Sequence, residues 1–338
     1  MGRAKPMSPK AGVTKQTTAA AYGPVKVRKA QDLKKYQSQI SQWHYDYYNK
    51  AQNDTTKLSP NLRRLACWNP VLYTMPNGEI WLFFKVGANI SGWTGWLVKS
   101  KDGGKTWSDR EALPKGFLGP IKNKPEIINN RLVCPSSTES DGWRFHVEIL
   151  DLTTGKWKYV GPVDADSCAI TDDVEPATTD MAHPIYKPGK GPKPIYSIQP
   201  SILKLADGRL QVLMRTHNAR LAQSFSSDGG DTWSKVTLSS LPSTQSGTDA
   251  VTLSDGTHVL VYNNFSTLPG TKKGPRTPLD VAISKDGQHW KHVLTLEDSP
   301  INQYSYPAVI QGTDGKIHIV YTWRRQRISY KCIYLPAE

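Results

Sequence analysis

The sequence lacks several features that would decide its class directly. It has only four cysteines in 338 residues, far apart and without a Cys-x-x-Cys pair. This spacing argues against a zinc site or a disulfide framework. No apolar run reaches the ~18 residues of a membrane-spanning helix, and the N-terminus lacks the apolar core of a secretory signal. We therefore expect no membrane span, metal or cofactor, and a cytoplasmic location by default.

Acidic residues are scarce at the N-terminus, where the first is Asp32. Residues 1–60 carry eleven basic and three acidic residues, and the rest of the chain carries 32 and 26. We interpret 1–60 as a basic extension, either disordered or part of the fold, and 61–338 as the folded domain. A basic extension is compatible with organelle targeting. Nucleic acid is not a predicted partner, because the domain has no basic stripe interleaved with aromatics.

A short motif recurs along the chain. Its full copies are Ser100–Trp107 (SKDGGKTW) and Ser226–Trp233 (SSDGGDTW), with a shorter copy at Ser284–Trp290 and a degraded one at Asp151–Trp157. The motif suits a hairpin tip, because Asp can accept backbone N–H groups, Gly supplies positive φ and Trp packs back on the sheet. Repetition at this spacing indicates a repeat protein.

A second pattern alternates with the first. Apolar runs bend around Asn77-Gly78, Asp207-Gly208, Asp255-Gly256 and Asp314-Gly315, as expected for β-hairpins. Each unit therefore has an inner hairpin and an outer hairpin tipped by the motif, which makes a four-stranded blade of an all-β propeller. Five such blades are readable in the sequence: 68–107, 122–157, 197–233, 247–290 and 304–334.

Several segments, among them WNPVLY, GPIKNKP, QPSILKL, SGTDAVTL, RTPLDVA, YSYPAVIQ and YTWRRQRI, resemble the sialidase-like Asp-box repeat family. The resemblance covers residues ~66–334 and implies a six-bladed propeller. Members of that family begin with a further blade, which is not recognisable in residues 1–60. The N-terminus then supplies an unorthodox blade, or the ring has five blades, or the chain is a truncated relative.

Polar residues that flank the inner hairpins are expected to line one mouth of the propeller, because both free ends of such hairpins lie at the same rim. A ligand site needs converging polar groups of this kind. From the flanking positions, we predict these substrate-binding residues: Lys85, Lys122, Lys124, Gln199, Arg215, Asn263, Arg276, Tyr306 and Trp323.

Two of these residues suit an acidic ligand. Planar guanidinium groups can hold a carboxylate through paired hydrogen bonds, and Arg215 and Arg276 are the pair we select. By resemblance, they take the places of two members of the sialidase arginine triad. Tyr304 precedes Ser305 as the nucleophilic tyrosine of sialidases precedes a serine, and strand alternation gives Tyr306 the same facing.

The resemblance breaks at the catalytic base. The glutamate that serves the tyrosine in sialidases falls near Gln199, whose amide cannot accept a proton. We therefore take Glu139, Glu148, Asp249 and the titrating His146 as candidate catalytic groups beside Tyr304. His146 and Glu148 are two residues apart and are expected on one side of a strand.

Three functions remain open from the sequence. The first is a sialidase-like hydrolase acting on an acidic oligo- or polysaccharide, with ordinary sialidase activity doubtful because of Gln199. The second is a polysaccharide lyase on a uronate-containing glycan, and the third is a non-catalytic carbohydrate-binding propeller. A monomer is expected in each case.

Overall fold

The computed structural model describes six stretches of the chain: residues 66–87, 89–139, 142–168, 193–266, 274–300 and 303–335. Residues 1–60, to which the sequence assigns a basic extension, lie outside them. No helix in these stretches is long and apolar enough to cross a membrane.

The strands form five antiparallel sheets in chain order, which we call blades 1 to 5. Blade 1 contains β1 (Cys67–Thr74), β2 (Ile80–Val86), β3 (Thr94–Ser100) and β4 (Glu111–Ala112). Blade 2 contains β5 (Glu126–Ile128), β6 (Arg131–Thr138), β7 (Arg144–Asp151) and β8 (Trp157–Val160). A two-stranded ribbon of β9 (Ser167–Cys168) and β10 (Lys193–Pro194) follows.

Blade 3 contains β11 (Ser197–Lys204), β12 (Leu210–Thr216), β13 (Arg220–Ser226) and β14 (Thr237–Pro242). Blade 4 contains β15 (Asp249–Thr252), β16 (His258–Tyr262), β17 (Leu279–Ser284) and β18 (Lys291–Glu297). Blade 5 has three described strands, β19 (Tyr304–Gln311), β20 (Ile317–Trp323) and β21 (Arg327–Ile333). The prediction of an all-β propeller with five blades readable in the sequence is confirmed, but the sixth blade implied by the resemblance is not present in the described stretches.

Hydrophobic cores fill the spaces between consecutive blades. Val71 and Phe83 of blade 1 pack with Leu132 of blade 2, and corresponding clusters join blades 2 and 3, 3 and 4, and 4 and 5. The burial of apolar side chains between sheets is what holds the blades side by side. This arrangement brings the first strands of the blades together around a central axis.

The repeated Asp-Gly motifs form the tips of outer hairpins. In the first copy, Asp102 Oδ1 accepts the N–H groups of Lys105 at 3.0 Å and Thr106 at 2.9 Å, and Gly103 takes a positive φ of 73°. Asp228 accepts the N–H of Thr232 at 2.9 Å in the same way. The carboxylate thus satisfies turn donors that the strands leave unpaired.

Three inner strands share a bulge just before a proline. Asn69, Gln199 and Tyr306 all precede prolines and have positive φ of 44°, 58° and 53°. The pairing register shifts at each of these positions. Because a bulge inserts one residue and re-aims the side chain, these three residues break the simple alternation of their strands.

Candidate functional site

Three arginines from three elements surround the Tyr306 side chain. The Cζ atom of Arg276 lies 5.1 Å from the centre of the Tyr306 ring, that of Arg325 lies 5.9 Å away, and that of Arg215 lies 6.0 Å away. We call Arg215, Arg276, Arg325 and Tyr306 the arginine–tyrosine cluster.

Each arginine is placed by a different part of the fold. Arg215 is near the end of β12, opposite Ile198 of β11, and its side chain is buried. Arg276 lies three residues before the start of β17, and its carbonyl oxygen accepts the N–H of Tyr304 at 2.9 Å. Arg325 occupies the turn between β20 and β21. Chain-distant residues therefore converge because the inner strands meet near the axis.

The charge of the cluster acts on the tyrosine. Burial raises the pKa of the Tyr306 phenol, but the positive charges of Arg276, Arg215 and Arg325, with a hydrogen bond from Arg276, outweigh burial and lower it to about 7. A phenol ordinarily titrates near 10. At neutral pH a substantial fraction of Tyr306 is therefore phenolate, a stronger nucleophile and base than the phenol.

A carboxyl group lies next to the cluster. Arg215 Nη1 donates to Gln199 Oε1 at 3.1 Å, and both residues lie close enough to Glu139 to act on its pKa. Burial raises the pKa of Glu139, while the charge of Arg215 and the bond from Gln199 oppose the rise. A carboxyl with a raised pKa beside a cleft suits general acid–base chemistry.

A glycine permits this close packing. A Cβ atom on Gly247 would lie 2.9 Å from Cδ1 of Tyr306 and 3.3 Å from Oε1 of Gln199, a distance too short for the ring to tolerate without moving. Arg215 also packs against an aromatic ring, since its Cζ lies 4.7 Å from the ring centre of Trp143. Trp143 in turn contacts the ring of His217.

Lys122 and Lys124 cross the axis and tie blades together. Lys122 Nζ donates to the carbonyl oxygens of Thr248 at 2.9 Å and Pro307 at 2.8 Å. Lys124 Nζ forms an ion pair with Asp249 at 3.0 Å. Asp249 also accepts the N–H of Val309 at 2.8 Å, which links blade 4 to blade 5. These contacts favour a structural role for all three predicted site residues.

Lys85, His146 and Glu148 lie away from the arginine–tyrosine cluster and are fully buried. His146 Nε2 and Glu148 Oε1 are 2.9 Å apart, as their spacing predicted, and Glu148 also accepts the N–H of Gly119 at 2.6 Å. Lys85 Nζ donates to the carbonyl of Pro120, and burial lowers its pKa to about 7 despite the charge of Glu148. These groups hold the segment before β5 against blades 1 and 2.

Tyr304 does not share the facing of Tyr306, contrary to the alternation predicted from the sequence. Tyr304 is fully buried in the core of blades 4 and 5, and its hydroxyl accepts a hydrogen bond from Arg324 at 3.2 Å. The bulge between Ser305 and Ala308 turns Tyr306 alone toward the arginines. The structure thus brings a different tyrosine to the cluster.

The remaining two predicted residues pack where blades 4 and 5 meet. Asn263 Nδ2 donates to the carbonyl oxygens of Pro278 at 2.9 Å and Tyr304 at 3.0 Å. Trp323 is buried in the core cluster between blades 4 and 5. Neither is among the residues that contact the Tyr306 ring.

Sequence reasoning did not select Arg325, Trp143, His217 or Gly247 as site residues. Arg325 is one of three arginines in the segment 324–327. The turn between β20 and β21 interrupts the strands there, so strand alternation does not predict which way the Arg325 side chain faces. The available sequence signal was the proline that follows Tyr306. A proline also follows Gln199, and both residues have positive φ. Within the described stretches, no group of three or more His, Cys, Asp or Glu side chains could hold a metal ion.

The fold is that of a sialidase-like propeller. The profile of the BNR repeat-like domain matches residues 42–319, and the chain belongs to this family. Over 148 residues it is 27% identical to an anhydrosialidase from Macrobdella decora, covering 39% of this chain and 19% of that protein.

Solved sialidases share the fold at low identity. Against the Hadza microbial sialidase Hz136, the chain has a TM-score of 0.54 and 13% identity, covering 80% of this chain and 53% of that one. Against Trypanosoma rangeli sialidase, the TM-score is 0.50 with 16% identity, covering 75% and 42%. The chain thus spans about half or less of the length of these relatives.

Proposed function

We propose that the chain is a sialidase-like glycoside hydrolase acting on an acidic, carboxylate-bearing glycan. The observation that supports this most is the convergence of Arg215 and Arg276 on Tyr306, with Cζ-to-ring distances of 6.0 and 5.1 Å. Two guanidiniums suit a carboxylate because each can donate paired, charge-assisted hydrogen bonds. The tyrosine beside them then lies next to the sugar that carries the carboxylate.

In this proposal Tyr306 is the nucleophile. Its phenolic oxygen attacks the anomeric carbon, the glycosidic C–O bond breaks, and the departing oxygen takes a proton from a general acid. Water then hydrolyses the glycosyl–tyrosine bond, which regenerates the phenol. Glu139, with its raised pKa and its position beside Gln199 and Arg215, is our candidate for the acid and base.

The other predicted residues take supporting roles in the proposal. Gln199 orients Arg215 and separates it from Glu139. The axial and buried groups make hydrogen bonds or packing contacts within the fold, so we assign them to holding the blades and not to the reaction: Lys85, Lys122, Lys124, His146, Glu148, Asp249, Asn263 and Trp323.

The lyase alternative keeps one supporting observation. A phenolate can also act as a base and remove the proton α to a uronate carboxylate whose charge is neutralised by arginine. Tyr306 with its pKa lowered to about 7 suits that role as well. The C–O bond at the β position then breaks, leaving an unsaturated sugar and requiring no water.

A panel of acidic oligosaccharides, analysed by mass spectrometry in water enriched in oxygen-18, tests the proposal. Hydrolysis incorporates the heavy oxygen into the product, whereas a lyase product lacks it and absorbs in the near ultraviolet. Tyr306→Phe is expected to abolish turnover and Tyr304→Phe to retain it once the variant is folded. Binding of acidic glycans without any product would favour the carbohydrate-binding propeller instead.

A sixth blade is part of the proposal. It would lie between blade 5 and blade 1, where apolar side chains are exposed, with Leu72 at 60%, Ile310 at 51% and Ile328 at 70%. Residues 42–65 directly precede β1 and fall within the family match, so they are the segment of this sequence that we expect to contribute there. We expect such a six-bladed ring to be a monomer with the ligand site at one mouth of the propeller.

A further inference from the structure

Two consecutive residues of the segment before β5 reach across the axis to two of the three inner-strand bulges. Asn123 Nδ2 donates to the carbonyl oxygens of Gln199 at 3.0 Å and Pro200 at 3.1 Å, in the bulge of blade 3. Lys122 Nζ donates to the carbonyl oxygen of Pro307 at 2.8 Å, in the bulge of blade 5. A bulge leaves backbone groups without their ladder partners, so these side chains supply donors that the strands do not.

The Lys122 ammonium is fully used within the protein. Besides Pro307, its Nζ donates to the carbonyl oxygen of Thr248 at 2.9 Å and to Oδ1 of Asn123 at 2.7 Å. An ammonium carries three protons, and these three acceptors take one each. Lys122 therefore fastens the bulge of blade 5 to the segment that leads into blade 4 and to the side chain that holds the bulge of blade 3.

Gly247 lies between the residues of this network. A Cβ atom there would lie 2.9 Å from Cδ1 of Tyr306, 3.3 Å from Oε1 of Gln199 and 3.3 Å from Cε of Lys122. The tyrosine ring, the glutamine amide and the lysine stem thus pack against one point of the backbone. Because close-packed groups cannot move independently, the position of each constrains the other two.

We propose that Lys122 is a positioning residue for Tyr306, which it holds at a fixed place relative to Gln199 and Arg215 without touching the ligand. The inference rests on the proposed function, since it concerns how the same site presents its nucleophile. Gln199 accepts a hydrogen bond from Arg215 at 3.1 Å, so the bulge of blade 3 orients the guanidinium and the bulge of blade 5 orients the phenol. Misplacement of a reacting group by about 1 Å can lower a rate about a hundredfold, so a brace between the two bulges affects turnover more than ligand affinity.

The ionisation of Tyr306 reports on its placement. The charged groups that act on Tyr306 or on Lys122 are Arg215, Arg276, Arg325, Lys124 and Asp249. The positive charges of the three arginines lower the pKa of Tyr306 to about 7. Displacement of the ring from the guanidiniums, or removal of the Lys122 charge, destabilises the phenolate, so the pKa must rise.

The first experiment is an ultraviolet titration of tyrosinate on the full chain, with Tyr306→Phe identifying the signal. Lys122→Met keeps a long side chain but removes its charge and its donors. Lys124→Met is the matched control, because this lysine is also partly buried at the axis and its partners are Asp249 and Ala250. We expect the midpoint to rise by about one pH unit in Lys122→Met and to change little in Lys124→Met. Equal midpoints in wild type and Lys122→Met, or an equal rise in Lys124→Met, would overturn the proposal.

The second experiment displaces the ring without changing any charge. Gly247→Ala places a methyl group 2.9 Å from the Tyr306 ring, whereas in Gly92→Ala, the control, the nearest atom is 3.5 Å from the added carbon. The midpoint should rise in Gly247→Ala and stay at the wild-type value in Gly92→Ala. This variant also decides the question if Lys122→Met does not fold. An unchanged midpoint in Gly247→Ala would mean that the network does not set the position of the ring, and the proposal would be wrong.

The third measurement separates this inference from the proposed function. On a glycan that the wild type hydrolyses, kcat of Lys122→Met should fall about a hundredfold while KM changes little. A raised KM with wild-type kcat would make Lys122 a ligand-binding residue and contradict the proposal. If the wild type hydrolyses no glycan, the proposed function fails, whereas the tyrosinate midpoints still test the placement of Tyr306 by Lys122.

Discussion

Arg276 interacts with Tyr306 through its charge and also contacts the two residues that precede Tyr306 on β19. The Arg276 guanidinium lies 5.1 Å from the Tyr306 ring centre, and its Nη1 donates to Oγ of Ser305 at 3.4 Å. The backbone carbonyl oxygen of Arg276 accepts the N–H of Tyr304. Arg276 is therefore anchored to the two residues just before the bulge that re-aims Tyr306, and its position and that of the tyrosine are set together.

The first prediction concerns the carboxylate contact. Arg215→Lys or Arg276→Lys should weaken an acidic glycan by about 1–3 kcal/mol, because an ammonium cannot reproduce paired planar hydrogen bonds. A methyl ester of the same glycan should bind poorly to the wild type and respond little to either change. Calorimetric titration of both ligands measures the difference. Wild-type affinity for the acid in both variants would remove these arginines from the site.

The second prediction is a pH dependence of stability. Because the pKa of Tyr306 is lowered in the folded chain to about 7 and is near 10 in the unfolded chain, the unfolded state binds more protons between these values. The contribution of Tyr306 to the free energy of unfolding is therefore fully present above pH 10 and lost as the pH falls through about 7.

The comparison that checks it is between wild type and Tyr306→Phe. From pH 7 to 10 the unfolding free energy of the wild type should rise relative to that of the variant, as measured by urea denaturation at each pH. Tyr304→Phe serves as the matched control, because burial raises the pKa of Tyr304 instead. Parallel curves for wild type and Tyr306→Phe would mean that the arginines do not hold a phenolate.

The sequence predicted the blades well and the facing of Tyr304 and Tyr306 poorly, for one physical reason. Blade boundaries depend on local turn chemistry, such as the Asp102 and Asp228 motifs, and this is written in short segments. The facing of Tyr306 depends on a bulge, where one extra residue reverses the alternation. The convergence of Arg325 with Arg215 depends on how blades pack around the axis, which no local pattern specifies.

The third prediction concerns the axial ion pair. Lys124 and Asp249 are largely buried, with exposed side-chain fractions of 14% and 3%. Removal of one partner leaves a buried charge unpaired, so Lys124→Met should lower the free energy of unfolding by about 3–5 kcal/mol. Asp249→Asn should cost less, because an amide can still accept the Val309 N–H. Turnover per folded molecule should persist in both, and its complete loss in stable Asp249→Asn would return Asp249 to the catalytic set.

The fourth prediction concerns the repeated turns. Asp228→Ala leaves the N–H of Thr232 and the hydroxyl of Ser226 without their carboxylate partner. Stability should fall by about 1–3 kcal/mol, whereas the affinity of the folded protein for acidic glycans should not change, since the turn is on an outer hairpin. Asp228→Asn is the control, because the amide oxygen can still accept the turn N–H. Lost binding with an unchanged melting temperature would place the turn in the ligand site.

The last prediction concerns the N-terminal residues. Residues 1–41 precede the family match, whereas 42–65 lie inside it and lead directly into β1. If 42–65 help to cover the exposed apolar side chains Leu72 and Ile310, their removal leaves that area in water, and buried apolar surface contributes roughly 25 cal/mol per Å². Deletion of 1–41 should therefore retain a cooperative thermal transition at the wild-type temperature. Deletion of 1–65 should lower that temperature and increase binding of a hydrophobic dye. Identical melting and dye binding for both truncations would show that no part of 1–65 covers these faces, and that residues 66–338 fold without it.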